Sequence, residues 1–272
     1  MRTKKIAATV AVAAVATLGF AAPASAISAS TADLYVLHAV PDTTVDVWVN
    51  GEVLLPDFAP GTLTDPLDLP AGDYEVVITL PNDPITSPVI GPATLPLAAG
   101  NSYTAVAHLD ASGAPTATLF TNDLSTIPAG QGKLTVRHTA AAPAVDILAN
   151  GAAAFSNLTN PNEVKADLPV GTISAAVAAT GTTDPVIGPA DVTIQEGVNT
   201  IVYAWGSLED DNLALAVQTI SGLHSTPDGV NSGQAGLVAD PNPALVGSIA
   251  AAIALVLLAA VGLGVRAARS AR

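Results

Sequence analysis

Apolar and polar residues alternate with a period of two through much of the middle of the chain. Val45, Val47 and Val49 alternate with Asp46, Trp48 and Asn50, as in a strand with one face turned to a core. Asn50-Gly51 follows. Both residues tolerate positive φ, so the pair predicts a tight hairpin with residues 53–55 as the returning strand. Further strands are expected at residues 74–79, 102–109 and 117–121, the first two entered through Gly72-Asp73 and Gly100-Asn101. A second set is expected at residues 133–139, 145–149, 172–179, 198–205 and 213–220. Residues 175–179 are alanine-rich, but Gly171 and Gly181 leave too little room for a stable helix.

These two sets are copies of one unit. Val45-Asp46-Val47-Trp48-Val49-Asn50-Gly51 recurs as Val145-Asp146-Ile147-Leu148-Ala149-Asn150-Gly151. Upstream, Leu34-Tyr35-Val36-Leu37-His38 matches Leu134-Thr135-Val136-Arg137-His138. Downstream, Leu69-Pro70-Ala71-Gly72 matches Leu168-Pro169-Val170-Gly171, and Pro88-Val89-Ile90-Gly91-Pro92-Ala93 matches Pro185-Val186-Ile187-Gly188-Pro189-Ala190. Matched blocks in one order mark an internal repeat. The first module is placed at residues 32–123, the second at 132–220, with a short linker at 124–131. Many short strands broken by Pro and Gly turns predict an all-β chain of two tandem immunoglobulin-like antiparallel β-sandwich domains.

Two apolar runs do not alternate. Arg2, Lys4 and Lys5 precede an apolar run over residues 6–22, then Pro23-Ala24-Ser25-Ala26. This is the pattern of a signal peptide over residues 1–26, cleaved before Ile27. Residues 244–265 carry no charge. At about 1.5 Å per residue such a run reaches across a hydrocarbon core of about 30 Å, so a transmembrane helix is expected there. Arg266, Arg269 and Arg272 follow in a basic tail over 266–272. The positive-inside rule places that tail in the cytoplasm and the long segment before it outside. Val238-Ala239-Asp240-Pro241-Asn242 is not a sortase site, so the helix is expected to remain as the anchor. Residues 221–243, rich in Gly, Ser, Asn and Pro, are expected to form a flexible stalk spanning roughly 25 Å.

Charge then separates sharply. Only Lys133, Arg137 and Lys165 of the nine basic residues lie between the two apolar runs, together with all twenty-three acidic residues, so that region has a net charge of −20. A nucleic-acid partner is excluded on this count, because phosphate binding needs a basic surface. The acidity is read as a solubility device. There is no cysteine, which excludes thiol catalysis, thiolate metal sites and disulfide stapling and leaves stability to core burial. Abundant Ala, Gly and Pro with few Lys fit a high-GC bacterial genome.

Candidate chemistry is sparse. His38 and His138 occupy equivalent places, and each has a candidate partner in Asp46 or Asp146. The plainer reading is an imidazole bonded to a turn and a carboxylate that pins the hairpin. Glu209-Asp210-Asp211-Asn212 concentrates oxygen ligands of the kind calcium takes, but lacks the spaced loop of a calcium-binding hand and reads as a solvated hairpin loop. Trp48 and Trp205 are the only tryptophans. Either could stack on a sugar, and core or inter-domain packing is the plainer reading. No G-x-S-x-G or Gly-rich phosphate loop occurs. No catalytic, cofactor-binding or metal-ligating residue is therefore assigned, and the chain is expected not to be an enzyme and to need no cofactor.

The repeated block resembles the domain-of-unknown-function 4397 family. Its residues here are His38, Pro41, Val45-Asp46-Val47, Val49-Asn50-Gly51, Leu69-Pro70-Ala71-Gly72-Asp73-Tyr74 and Gly100-Asn101-Ser102-Tyr103-Thr104. The second copy departs at Ala149, Ile173 and Asn199-Thr200-Ile201. The resemblance covers nearly all of residues 32–220. It implies a β-sandwich in an exported bacterial protein, and no activity. The expected function is a membrane-anchored cell-surface protein, single-pass, that displays two sandwiches for envelope or adhesive interaction with a polysaccharide or surface protein. The alternative is an extracellular module that senses a cation or small ligand.

Overall fold

Alternating apolar residues between Gly, Pro and Asn turns produce sixteen strands and no helix among the residues described by the computed structural model, 30–224. The first repeat holds β1 (Thr31–Ala39), β2 (Val45–Val49), β3 (Glu52–Phe58), β4 (Leu67–Pro70), β5 (Gly72–Thr79), β6 (Ile90–Leu97), β7 (Ser102–Leu109) and β8 (Pro115–Thr121). The second holds β9 (Gln131–Ala141), β10 (Val145–Ala149), β11 (Ala152–Leu158), β12 (Glu163–Pro169), β13 (Gly171–Ala179), β14 (Pro185–Ile194), β15 (Asn199–Ser207) and β16 (Ala214–Ile220). The expected signal peptide, membrane helix, basic tail and all but the first residues of the stalk lie outside the described residues.

The strands form four sheets in two sandwich-like pairs. Their orders are β3-β2-β5-β6 and β4-β1-β7-β8 in the first repeat, and β11-β10-β13-β14 and β12-β9-β15-β16 in the second. The expectation of purely antiparallel sheets is corrected at one place in each repeat. β1 pairs with β7, and β9 with β15, in parallel. Only hairpin neighbours are bound to run antiparallel. These partners are separated by a long excursion through the other sheet, so the chain is free to return in the same direction.

Asn50 and Gly51 (φ 50° and 87°), like Asn150 and Gly151 (50° and 81°), form the expected hairpin turns. The turns are clamped sideways: the amides of Glu75 and Ser174 donate to Asn50 Oδ1 and Asn150 Oδ1 at 3.0 and 3.1 Å. The strands that the alternation did not reveal include β6 and β14, which carry Pro92 and Pro96, and Pro185 and Pro189. Both are sheet edges, where a missing N–H costs no ladder bond. The recurring Gly91 and Gly188 sit there with φ of 96° and 86°, and a Cβ would meet the Val76 carbonyl at 2.6 Å or that of Ala175 at 2.9 Å.

Each sandwich has its own core. Leu34, Val36, Val47, Ile78 and Tyr103 pack in the first, and Leu134, Val136, Ile147, Val177 and Val202 in the second. A further cluster joins the repeats: Leu37, Ala39, Val106 and Phe120 pack against Ile201 and Tyr203, with Trp205 beside them. Central strands of the two inner sheets therefore bury both faces, while the edge strands stay partly exposed. β9 is buried from Gly132 to Ala140, and β15 at every residue but Trp205. Alternate residues serve different interiors: Leu134 and Val136 face the second core, while Thr135 and Arg137 face the seam. Both sandwiches belong to one compact unit. The linker is held in place: Ile127 is fully buried, its N–H donates to Leu223 O at 2.7 Å, and Leu223 N–H donates to Gly197 O at 2.9 Å. Leu223, expected to lie in the stalk, is thus tied to the folded body by backbone hydrogen bonds.

Candidate functional site

The repeated histidines and aspartates are brought to the same places in both sandwiches, and none is left free. His38 is 1% exposed, and its Nε2 donates to Thr43 O at 2.6 Å. His138 is 1% exposed, and its Nε2 donates to Pro143 O at 3.1 Å. Their Nδ1 atoms take the longer bonds from the amides of Val40 and Ala140, at 3.5 and 3.4 Å. That pattern holds both imidazoles in one neutral tautomer, and burial pushes the pKa of each below its ordinary value.

Asp46 accepts the amides of Asp57 (2.8 Å) and Asn82 (3.3 Å); Asp146 accepts those of Asn157 (2.8 Å) and Gly181 (2.9 Å). Each carboxylate ties two loops at the end of the hairpin away from Asn-Gly, which differs from the expected turn-pinning. The reason is position: Asp46 lies near the start of β2 and Asn50 just past its end, so only Asn50 reaches the turn. Amides from Gly181 and Asn157 hold the Asp146 carboxyl below its usual value. No hydrogen bond joins His38 to Asp46 or His138 to Asp146, so the histidine–carboxylate pairing considered from sequence does not form. Asp46→Ala is expected to cost on the order of 1–3 kcal/mol, the penalty for stranding amides whose acceptor has gone. A urea midpoint equal to that of the parent would show that the loops hold without it.

In the acidic loop the Asn212 side chain is held in place. Asn212 Oδ1 accepts Ser207 N–H at 2.8 Å, and Asn212 Nδ2 donates to Asp42 Oδ2 at 3.2 Å, across the seam. Among the described residues no group of three or more His, Cys, Asp or Glu is arranged to hold a metal ion. Trp48 is half-buried and donates to Thr79 Oγ1 at 3.0 Å. Trp205 takes the expected inter-domain place, its ring against Gly61 of the other repeat.

The charged cluster that alternation alone did not single out is the seam itself. Arg137 is fully buried. Its Nε donates to Glu163 Oε2 at 2.8 Å, and its Nη1 to Asn122 Oδ1 at 3.0 Å and to Tyr203 Oη at 2.6 Å. The guanidinium lies over Phe120, 4.4 Å from the ring centroid. Tyr203 in turn donates to Gln218 Oε1 at 2.6 Å, and Thr104 Oγ1 lies 3.0 Å from the same oxygen. Burial pushes the Tyr203 phenol up, with Arg137 pulling the other way. Beside this network Lys133 and Lys165 both reach Asp123 Oδ2, at 3.0 and 2.9 Å. Burial would raise the Asp123 carboxyl, but Ser125 and the two ammonium groups outweigh it and hold it well below the carboxylate range. All three cations of the acidic region thus lie at the seam. The signal was in the repeat: Leu37 of the first copy stands where Arg137 stands in the second.

Where the seam meets solvent it opens into a concavity of about 580 Å³, lined by Asn101, Phe120, Thr121, Asp123, Glu163 and Lys165 among others. Both repeats contribute to its lining, the second through Glu163 and Lys165. Its groups can donate and accept hydrogen bonds in several directions, and Lys165 and Glu163 bring opposite charges to one rim.

A family model described as "Domain of unknown function (DUF4397)" matches residues 32–148, which takes in the whole first sandwich, the linker and the second repeat as far as β10. No curated protein matches the chain.

Proposed function

We propose that this chain, which carries the DUF4397 domain over residues 32–148, is a non-catalytic surface protein that engages an envelope polysaccharide through the groove at its seam. The groove is the observation that carries this reading. Amide, hydroxyl, carboxylate and ammonium groups line one concavity, and such groups match the alternating donors and acceptors of sugar hydroxyls. The buried Arg137 network behind it links the two repeats, so little ordering cost falls on binding.

The remaining parts of the reading are architectural. Residues 1–26 act as a cleaved signal peptide, residues 244–265 as a single membrane span, and the rest of 221–243 as a spacer. The two immunoglobulin-like sandwiches then stand outside the cell as one acidic body, which discourages self-association.

The test is retention of the full chain on isolated envelope polysaccharide, compared with Asn101→Ala and Lys165→Ala. Losing one hydrogen bond to a charged or amide group weakens binding by about tenfold or more. Both variants are expected to bind more weakly and to melt slightly lower, since Lys165 pairs with Asp123 and Asn101 Nδ2 donates to Ala99 O, so binding is compared well below both melting temperatures. Failure of the parent protein to bind any envelope fraction would sink the proposal.

A further inference from the structure

The two sandwiches have the same fold but not the same interior. Between its sheets the second encloses a space of about 270 Å³, against about 40 Å³ at the corresponding place in the first. The difference can be read residue by residue, because the strand registers equate the copies. Val49, Leu54, Leu67 and Val76 of the first sandwich correspond to Ala149, Ala154, Ala166 and Ala175 of the second. All four alanines line the larger space. Ile147, Phe155, Val202 and Leu215 are larger than their counterparts, yet do not refill it.

An empty space of this size costs stability, since its walls lose their packing partners. The first copy shows that the same fold can close the gap with ordinary side chains. The space also has a way in. β6 packs against β8 at the edge of the first sandwich, while β14 and β16, their counterparts, make no comparable contact. Leu215, which lines the space, is 38% exposed, and Val217 on the same strand face is 56% exposed.

We propose that the second sandwich is a binding site for a neutral, single-chain aliphatic molecule that enters between β14 and β16. The class follows from the lining and the surroundings. Only apolar side chains line the cavity, so it can satisfy no buried polar or charged group. A cavity of about 150 Å³ holds a benzene-sized guest, so this one admits on the order of ten carbons. The strongly acidic chain disfavours an anionic headgroup at the mouth. This site is independent of the seam groove and shares none of its lining residues.

The experiment titrates 1-decanol into the full chain with methyl-labelled alanine, valine, leucine and isoleucine, read by NMR. Saturable shifts are expected at the methyls of Ala154, Ala166, Ala175 and Ile173, with none at Leu54, Leu67 or Val76, which serve as the internal control. Ala175→Val, which restores the residue of the first copy, is expected to weaken binding by about tenfold or more while folding normally, because one methylene more or less in an apolar site is worth that much. The doubly filled Ala154→Leu/Ala175→Val is expected to abolish it. Equal shifts in both sandwiches, no saturable shift, or undiminished binding by Ala175→Val would overturn the proposal. So would methyl shifts that depend on protein concentration without decanol, which would mean that a second copy fills the mouth, or binding of decanoate as tight as that of decanol.

Discussion

Arg137→Met is expected to lower the stability of the chain by about 3–5 kcal/mol, the range seen when one partner of a buried ion pair is removed. The size follows from what is left behind. Glu163 loses its close ion pair, and Asn122 Oδ1 and the Tyr203 hydroxyl each lose a charged donor. Methionine replaces the length of the side chain but none of its five donors. Arg137→Lys is expected to recover only part of the loss, since a single ammonium cannot serve Glu163, Asn122 and Tyr203 in one plane. For a body of this size the penalty corresponds to a fall in Tm of roughly 6–20 °C. Arg137→Leu/Glu163→Leu, which removes both charges, is expected to cost less than Arg137→Met, because no charge is then buried without its partner. Equal Tm values for the parent and Arg137→Met would show that the seam is held by its apolar contacts alone.

Stability is also expected to fall steeply as pH drops below about 6.5, above the range in which carboxylates titrate. His38, His108 and His138 are 0–1% exposed. Burial lowers the pKa of all three, against weaker opposing pulls from the Thr43, Leu109 and Pro143 carbonyls and, at His108, from Asp110. His138 lowers His108 further. In the unfolded chain each imidazole takes up a proton near its ordinary value of about 6.5, while in the fold it stays neutral to lower pH. The unfolded state therefore binds more protons in that window, and stability decreases as pH falls through it. Above about 6.5 both states are neutral and the contribution is complete. Each histidine can add at most about 1.4 kcal/mol per pH unit to the slope. Asp123 and Asp146 do not enter this window: their carboxyls are held below the usual value, so what they contribute is lost only at lower pH. Thermal melts from pH 8 to pH 5 measure the slope, and His108→Gln should reduce it by the share of one group. A flat Tm across that range would contradict the neutral tautomers assigned here.

Both effects arise where the alternation was least informative. Period-two patterns and entry turns located β2, β5 and β10, which carry few breakers, and β7, which follows Gly100-Asn101 although it is buried on both faces. They missed β4, β6, β11, β12 and β14. β6 and β14 carry prolines that a sheet edge tolerates, and β4 is only four residues long. The paired histidines and aspartates were visible as repeated positions. Their partners were not, since Thr43, Asp57, Asn82 and their counterparts act through backbone groups that every residue carries. The seam network was hidden for a further reason. Arg137, Tyr203 and Gln218 lie on three strands, and only the parallel pairing of β9 with β15 and the stacking of two sandwiches bring them together.

Read alone, the chain determined an all-β body, an internal repeat with equivalent strands, the Asn-Gly hairpins and an excess of negative charge between two apolar runs. These are local or compositional properties, set by side-chain periodicity, turn chemistry and counting. Tertiary structure decided that the central strands of the inner sheets bury both faces, that Lys133, Arg137 and Lys165 all meet at one seam, and that only the second sandwich keeps an open apolar interior. Each of these depends on which residues from distant strands face each other. Alternation says that a residue points away from one core, but not whether water or a second sandwich lies on the other side.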